Sequence, residues 1–223
     1  MASQTPAHER ANPDLLAILP AAERLVEVGC STGALARAYR GRHPAAHWLD
    51  IEIEPAYAAA ARQHCQEVLL GDVEQMLAEE PPPRALHADC WIFGDSLEHL
   101  RDPWQVLRRV HTLLPPGGSV CACIPNAQHW SLQARLCLGQ FDYEESGLLD
   151  RTHLRWFTPT TMLSLFADCG FRVLSCRLRI FPHPAEAAVL QQIRRFASAL
   201  GADPERAMRD ARPLQLVIHA TTR

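Results

Sequence analysis

Three side chains that can bind a metal or move a proton lie close together in the segment Phe93–Leu100, namely Asp95, Glu98 and His99. Residues three and four apart are neighbours on a helix, so one helical turn would place all three on a single face. Two carboxylates and an imidazole on one face can hold a hard divalent cation. Alternatively, the imidazole of His99 can act without metal as a general base. The segment therefore predicts a metal site, a metal-free base or a merely structural turn.

A glycine-rich turn, Gly29–Gly33, follows the first predicted strand of the chain, the apolar segment Leu25–Val28. In open α/β sheets, ligands bind beyond the carboxyl ends of the strands, near this first turn. Gly29 and Gly33 permit unusual backbone angles and the close approach of a ligand to the backbone. The motif favours a nucleotide-type cofactor, and a tight turn that binds nothing is the plainer alternative.

Acidic residues end the next two predicted strands, Glu52 the second and Asp72 the third. An acid about 20 residues after the glycine turn can accept hydrogen bonds from both hydroxyls of a ribose, and it repels the 2′-phosphate of NADP. Asp72 can accept a hydrogen bond from the amino group of adenine, although either acid alone is more often a helix cap. Together they outline an adenosine pocket at successive strand ends.

These motifs need a sheet whose strands end at one edge, and apolar runs alternate with helical segments in the required way. The predicted strands are Leu25–Val28, His47–Ile53, Val68–Leu70, Cys90–Phe93, Ser119–Ile124, Phe171–Ile180 and Leu214–Thr221. The predicted helices are Asp14–Leu19, Ala34–Tyr39, a segment beginning at Pro55, Val73–Ala78, Pro103–Leu114, His129–Leu138, Pro159–Cys169 and Pro184–Leu200. This alternation predicts a doubly wound, parallel α/β sheet. We expect one domain over residues 1–223, with 128–158 as an insertion, an active-site lid over the carboxyl edge of the sheet.

Composition excludes several kinds of chemistry. All 22 basic residues are arginine, because the chain contains no lysine, so Schiff-base, pyridoxal-phosphate and P-loop lysine chemistry are ruled out. The formal net charge of −3 does not favour binding to nucleic acid, and no apolar stretch has the length of a membrane span. The eight cysteines include no Cys-x-x-Cys pair and mostly lie in apolar runs. We therefore expect free thiols and a cytoplasmic location.

Five segments of the chain resemble the motifs of class I S-adenosylmethionine-dependent methyltransferases, and the resemblance covers nearly the whole chain. They are Leu25–Gly33, Asp50–Pro55, Gly71–Asp72, Phe93–Pro103 and Leu113–Asn126, the last containing a Pro-Gly-Gly turn before the fifth strand. The resemblance implies a Rossmann-like, doubly wound sheet of seven strands. It also implies that the sheet is mostly parallel, with an antiparallel last strand beside Phe171–Ile180.

The resemblance also implies where S-adenosylmethionine binds. The positions of Glu27, Gly29 and Gly33 would surround its methionine portion, and Glu52 would hold the ribose. Asp72 and Val73 would hold the adenine. Further expected cofactor contacts are Cys30, Ser31, Ile53 and Gly94. Ser31 stands where the family usually has its middle glycine, and we expect this to alter the geometry of the turn slightly without loss of binding.

The Asp-x-x-Glu-His segment is similar to the Glu-x-x-Glu-His of metal-dependent 2′-O-methyltransferases of small RNA and of the ubiquinone-pathway O-methyltransferase. In the small-RNA group a later histidine completes the metal site, and the segment Asp150–Thr158 resembles the one that carries it. The resemblance thus implies a site for Mg²⁺ or another divalent cation made by Asp95, Glu98, His99 and His153. Asp95, His99 and His153 are the expected catalytic residues, and the shorter reach of Asp95 sets it apart from the family's glutamate.

The acceptor is a separate question. The segment Phe141–His153 looks like bacterial methyltransferases associated with surface glycans, which suggests a sugar or another small-molecule hydroxyl. Transfer to nitrogen or carbon of a natural-product scaffold, or a non-catalytic protein that binds S-adenosylmethionine, are the alternatives; a nucleic-acid acceptor is disfavoured by the charge. Asn126 can contact substrate or cap a helix, and Arg151 and Arg155 can grip an acidic group or form structural ion pairs. The aromatic residues that either line an acceptor pocket or fill a lid core are Trp130, Phe141, Tyr143, Trp156 and Phe157.

Overall fold

The computed structural model describes residues 5–7 and 9–222, and a sheet of seven strands forms its centre. The strands are β1 (Arg24–Val28), β2 (His47–Glu52), β3 (Glu67–Leu70), β4 (Cys90–Gly94), β5 (Ser119–Pro125), β6 (Phe171–Arg179) and β7 (Gln215–Thr222). Their order across the sheet is β3-β2-β1-β4-β5-β7-β6. The neighbouring pairs among β1 to β5 are parallel, whereas β7 is antiparallel to both β5 and β6. The predicted doubly wound sheet with an antiparallel last strand is confirmed.

Helices fill both faces of the sheet. They are α1 (Pro13–Ile18), α2 (Ala34–Arg40), α3 (Pro55–Ala61), α4 (Val73–Ala78), α5 (Pro103–Leu113), α6 (Trp130–Cys137), α7 (Pro159–Asp168), α8 (Glu186–Ala199) and α9 (Pro204–Asp210). The helices α1, α3, α5, α7 and α9 begin with proline, which is favoured at the first helical position. In each of these helices the residue before the proline caps the helix with its side chain: Asn12, Glu54, Asp102, Thr158 and Asp203. The helix starts are therefore fixed locally by sequence.

The core lies in two layers because the central strands are apolar on both faces. In β4, Cys90 and Ile92 pack with α1 and α2, whereas Trp91 and Phe93 pack with α5 and α7. All four are fully buried, and such two-sided burial is typical of parallel strands. Each large apolar side chain buried in this way stabilises the fold by about 1.5–3 kcal/mol.

The segment 128–158 lies at the carboxyl edge of the sheet, where the parallel strands end. The N–H groups of Leu154 and Arg155 donate to the carbonyl of Glu98, just after β4, at 2.8 and 2.9 Å. The N–H of Ala127 donates to the carbonyl of Phe157 at 2.7 Å, which closes the base of the segment. This region contains α6 and irregular structure, and it contacts the functional residues directly.

Two local expectations were incomplete or wrong. The helix α9 follows α8 and was not predicted, and residues 95–99 do not form the helical turn on which a single metal-binding face depended. Instead, a short 3₁₀ turn covers Leu97–His99. All eight cysteines are free, as expected, although Cys137 and Cys176 are exposed. Within the described ranges, no helix combines the length and apolar character needed to cross a membrane.

Candidate active site

The glycine turn joins β1 to α2 in a conformation that needs glycine at both ends. Gly29 and Gly33 have φ of +73° and +77°, in the left-handed region. A Cβ atom on Gly33 would lie 3.2 Å from Cα of Ala61, and one on Gly29 would lie 3.2 Å from Cβ of Ser96. The turn is therefore packed tightly against α3 and against the segment after β4.

Ser31 takes a left-handed conformation in the middle of this turn, with φ of +52°. Its N–H donates to Oε2 of Glu52 at 2.9 Å. The backbone of Ser31 thus has a conformation that glycine adopts without strain, whereas for an L-residue this conformation costs about 1–2 kcal/mol.

Replacing Ser31 with glycine is expected to raise the free energy of unfolding by roughly 0.5–1 kcal/mol. Removal of the left-handed strain outweighs the extra entropy that glycine gives the unfolded chain, about 0.5–1 kcal/mol. Urea denaturation measures the difference. The control is Ser198→Gly in α8, where the backbone is helical and glycine is expected to destabilise by about 0.5 kcal/mol. Equal destabilisation by both substitutions would contradict the prediction.

Glu52 links the end of β2 to the glycine turn. It is buried, and its carboxylate also accepts hydrogen bonds from the N–H groups of Ile53 and Glu54 at 2.9 and 3.0 Å. Burial raises the pKa of Glu52, and the hydrogen bonds from Glu54, Ser31 and Ile53 oppose that rise. The neighbouring Ile53 side chain is 53% exposed, an apolar surface beside the carboxylate. Contact of these two residues with ribose and base stays a prediction.

Two buried carboxylic acids lie side by side near this edge. Glu27 of β1 is paired in register with Asp50 of β2, and both are buried. Among the described residues, the Oε2 atom of Glu27 has no hydrogen-bond partner, and a Cβ atom on Gly94 would lie 4.0 Å from Oε1. Burial, with the charge of Asp50 second, holds the pKa of Glu27 well above its usual range. Burial likewise raises the pKa of Asp50 to about 6, against hydrogen bonds from the Cys65 thiol and the Trp48 indole. A cationic ligand bound here would stabilise the ionised forms of Glu27 and Asp50.

Asp72 caps α4, as the plainer interpretation of this residue expects. Its carboxylate accepts from the N–H of Glu74 at 2.8 Å and from Arg101 at 2.6 Å. Arg101 also pairs with Glu74 at 3.2 Å. Val73, the first residue of α4, is buried. A role of Asp72 and Val73 in binding adenine stays a prediction.

A cluster of one carboxylate and two imidazoles follows β4. Among the described residues, the ligand atoms of Glu98, His99 and His153 lie within 4.8 Å of one another. Glu98 is 1% exposed, and its Oε1 lies 3.9 Å from Nε2 of His153. Its Oε2 has no hydrogen-bond partner within the described part of the chain. We call Glu98, His99 and His153 the histidine cluster. It brings together predicted site residues from two segments that are distant in the sequence.

Asp95 lies outside this cluster, which corrects the expected four-residue ligand set. It has φ of +58° and precedes the 3₁₀ turn, so it does not share a helical face with Glu98 and His99. Its carboxylate instead accepts a hydrogen bond from Gln215 of β7. Asp95 does act electrostatically, because after burial its charge is the next cause that raises the pKa of Glu98.

Hydrogen bonds fix the proton on His99. Oγ1 of Thr152 donates to Oδ1 of Asp150 at 2.6 Å, so this hydroxyl can only accept from Nδ1 of His99, 3.0 Å away. The carbonyl of Thr152, 3.2 Å from Nδ1, is also only an acceptor. Nδ1 therefore carries the proton, and Nε2 of His99 keeps a lone pair. Oγ1 of Thr5 donates a hydrogen bond to the other carboxylate oxygen of Asp150, Oδ2, at 2.8 Å. Sequence reasoning missed both threonines: the Asp-x-Thr spacing was the available signal for Thr152, whereas Thr5 lies 145 positions from Asp150 and has no local signal.

Both imidazoles of the cluster are kept neutral. Burial lowers the pKa of His99. Burial, followed by the neighbouring His99, lowers the pKa of His153 to about 4. Neutral imidazole is the form that binds metals or accepts a proton.

The other candidate residues divide clearly by burial. Trp130 and Phe157 are buried, Trp130 with residues of α8 and Phe157 in the main core of the sheet, whereas Phe141, Tyr143 and Trp156 are exposed. Asn126 is also buried, and its amide donates to the carbonyls of Asp210 and Pro213 at 2.9 and 2.8 Å while its oxygen accepts from Gln128. Asn126 is thus structural. Arg151 pairs with Glu145 at 2.5 Å, and Arg155 donates to the carbonyl of Arg101.

Solved structures share this architecture. An S-adenosylmethionine-dependent methyltransferase of Thermotoga maritima superposes with a TM-score of 0.63 at 20% identity, covering 93% of this chain and 85% of that chain. The fold, with its glycine turn after β1, is that of class I S-adenosylmethionine-dependent methyltransferases. Residues 4–176 match the family described as "Methyltransferase domain". The protein belongs to this family.

Curated relatives are similar over part of the chain. Trans-aconitate 2-methyltransferase of Methylobacterium nodulans is 32% identical over 125 residues, which are 54% of this chain and 46% of that protein. Ubiquinone biosynthesis O-methyltransferase of Aeromonas salmonicida is 33% identical over 99 residues, 44% of this chain and 41% of that protein. The matches thus span less than half the length of each relative.

Proposed function

We propose that the protein methylates a hydroxyl group of a small molecule, sugars included. The histidine cluster at the end of β4 carries this proposal, because transfer to a hydroxyl requires a base or a metal ion to take up its proton. Nε2 of His99 offers a lone pair at the edge where the cofactor turn also lies. The ubiquinone relative, an O-methyltransferase by name, supports the same type of acceptor.

The residues at the ends of β1 and β2 fit S-adenosylmethionine. When bound, this cofactor supplies a methyl group on a positively charged sulfur. The unpartnered Oε2 of Glu27 is an acceptor for the ammonium of its methionine portion. The glycine turn allows the backbone to approach it closely, and Glu52 and Ile53 offer a carboxylate and an apolar surface to the nucleoside.

We also propose that the histidine cluster binds a divalent cation. Two neutral imidazoles and a buried carboxylate with an unpartnered oxygen form a suitable donor set. Without Asp95 the set has more nitrogen than oxygen, which favours Mn²⁺ or a later transition metal over Mg²⁺. A bound cation would act as a Lewis acid toward the acceptor hydroxyl. The alternative is that His99 alone takes the proton.

Calorimetry separates these two routes. We expect Mn²⁺ to bind wild type more tightly than Mg²⁺ does, and binding to disappear in Glu98→Gln. Glu23→Gln, which changes an exposed glutamate, is the matched control and should keep the binding. Asp95→Asn should also keep it because Asp95 lies outside the cluster, although the loss of its charge lowers the pKa of Glu98. An absence of heat with both metals, together with full methyl transfer in the presence of a chelator, would leave only the metal-free base.

The reaction itself is tested by screening acceptors with labelled S-adenosylmethionine. We expect label in the ether methyl of a hydroxyl compound. Label on nitrogen or carbon would replace the O-methylation proposal with the natural-product alternative. Thermal shifts with S-adenosylmethionine and S-adenosylhomocysteine accompany the screen, since a ligand that binds the native state stabilises it. A shift without transfer to any acceptor would support the non-catalytic alternative.

A further inference from the structure

Three exposed aromatic side chains form a continuous surface that begins at the histidine cluster. The ring of Trp156 lies 5.8 Å from that of His153, and Phe141 lies 5.7 Å from Trp156. Tyr143 is 5.7 Å from Phe141. All these distances join ring centroids. We call Phe141, Tyr143 and Trp156 the aromatic wall.

The aromatic wall is exposed although the same segment buries other rings. Phe141, Tyr143 and Trp156 are 41%, 61% and 37% exposed, against 8% for Trp130 and 2% for Phe157. An exposed apolar patch of contacting residues commonly marks a binding site. The wall is held beside Glu98, because the N–H groups of Leu154 and Arg155 donate to the Glu98 carbonyl.

The arginines next to the aromatic wall already have partners. Arg135 pairs with Glu144 at 2.7 Å and Arg151 with Glu145 at 2.5 Å. Arg155 donates to the carbonyl of Arg101. These arginines are already engaged, so the surroundings of the wall favour an uncharged ligand over a phosphate or a carboxylate.

We propose that the aromatic wall is the acceptor subsite, and that it binds a neutral ring bearing hydroxyl groups. The flat apolar face of the ring stacks on the wall, which directs a ring hydroxyl toward His99 and His153. A sugar ring and a phenol ring share this chemistry. The inference rests on the proposed function and names the class of its acceptor.

Ligand-observed saturation-transfer NMR on protein loaded with S-adenosylhomocysteine tests the subsite. The ring probes are catechol and methyl β-D-glucopyranoside, and the comparison probes are glycerol, which has no ring, and glucose 6-phosphate, which is charged. We expect saturation of at least one ring probe and little of the comparison probes. Saturation of catechol alone identifies a phenol as the acceptor ring, and saturation of the glucoside alone identifies a sugar.

Two variants localise the binding. Trp156→Ala and Phe141→Ala are each expected to weaken binding of the ring probe about tenfold. Phe196→Ala is the matched control, because Phe196 is an exposed phenylalanine on α8, an element that carries no residue of the histidine cluster or the aromatic wall. Undiminished binding in both wall variants, or no preference for rings in wild type, overturns the proposal.

Cofactor binding distinguishes the two possible failures. Each variant and the wild type are titrated with S-adenosylhomocysteine by thermal shift. If wild type fails to bind it, the proposed function fails and the subsite with it. If wild type and wall variants bind it equally while the ring probes do not depend on the wall, only the subsite is wrong.

Discussion

Replacing Glu27 with glutamine is expected to weaken the binding of S-adenosylmethionine by about 10- to 100-fold. A hydrogen bond to a charged group contributes about 1.5–3 kcal/mol, and about 1.4 kcal/mol is a factor of ten. The Oε2 atom of Glu27 is buried and has no partner in residues 5–7 and 9–222, so it can accept a hydrogen bond from a cationic donor. Glutamine keeps the shape of the side chain but lacks the charge that a sulfonium and an ammonium group require.

The same substitution should stabilise the protein without cofactor. The pKa of Glu27 is raised by burial and by the charge of Asp50, so the folded state holds this proton more tightly than the unfolded state does. The stabilising contribution of this proton is complete below the pKa that Glu27 has in the unfolded state, and it is lost as the pH rises through the pKa of Glu27 in the folded state. Glutamine does not titrate, so its advantage, on the order of 1 kcal/mol, grows as the pH rises.

The binding of S-adenosylmethionine should itself depend on pH. A cation favours the ionised form of Glu27, so binding releases a proton and affinity increases with pH. Calorimetry in two buffers of different protonation enthalpy measures the proton release directly. The control is Glu23→Gln, an exposed glutamate just before β1, which should change neither affinity nor proton release. An affinity that falls with rising pH would refute this account of Glu27.

Those parts of the fold that depend on local signals were predictable. The strand β4 is apolar at every position from Cys90 to Phe93 because it is buried on both faces. A proline preceded by a capping residue indicates where several helices begin. The helix α9 escaped prediction for the opposite reason: none of its residues is buried. Such a helix carries no apolar periodicity, which is the main sequence signal for helices.

The candidate site shows the same division between local and distant causes. Glu98, His99 and His153 could be proposed from residue type and resemblance, and the structure brings them together. Asp95 could not be placed, because its partner Gln215 lies 120 positions away and its backbone is left-handed. The hydrogen bond between Thr5 and Asp150 spans 145 positions. Contacts of this kind arise from tertiary packing, so no local pattern reports them.

Replacing His99 with glutamine is expected to lower kcat by about 10²- to 10⁴-fold, the usual contribution of a general base. The effect follows from the lone pair on Nε2 and holds for either route, since that lone pair accepts the acceptor's proton or binds the cation. Glutamine can still donate a hydrogen bond to Thr152, so the contact with Thr152 survives while the basic nitrogen is lost. Binding of S-adenosylmethionine should stay within a few-fold of wild type, because Glu27 and Glu52 are untouched.

Single-turnover transfer of labelled methyl to the acceptor found by screening measures the effect of His99→Gln, with cofactor affinity measured in parallel. The matched control is His87→Gln, an exposed histidine whose loss should leave kcat unchanged. The metal arm refines the interpretation. If Mn²⁺ binding is lost in His99→Gln and the residual rate no longer responds to metal, His99 acts as a ligand. If Mn²⁺ binds neither protein, the same loss of rate assigns the proton to Nε2. A His99→Gln protein that turns over at the wild-type rate would contradict both routes, and the proton of the hydroxyl would have to leave through a different group.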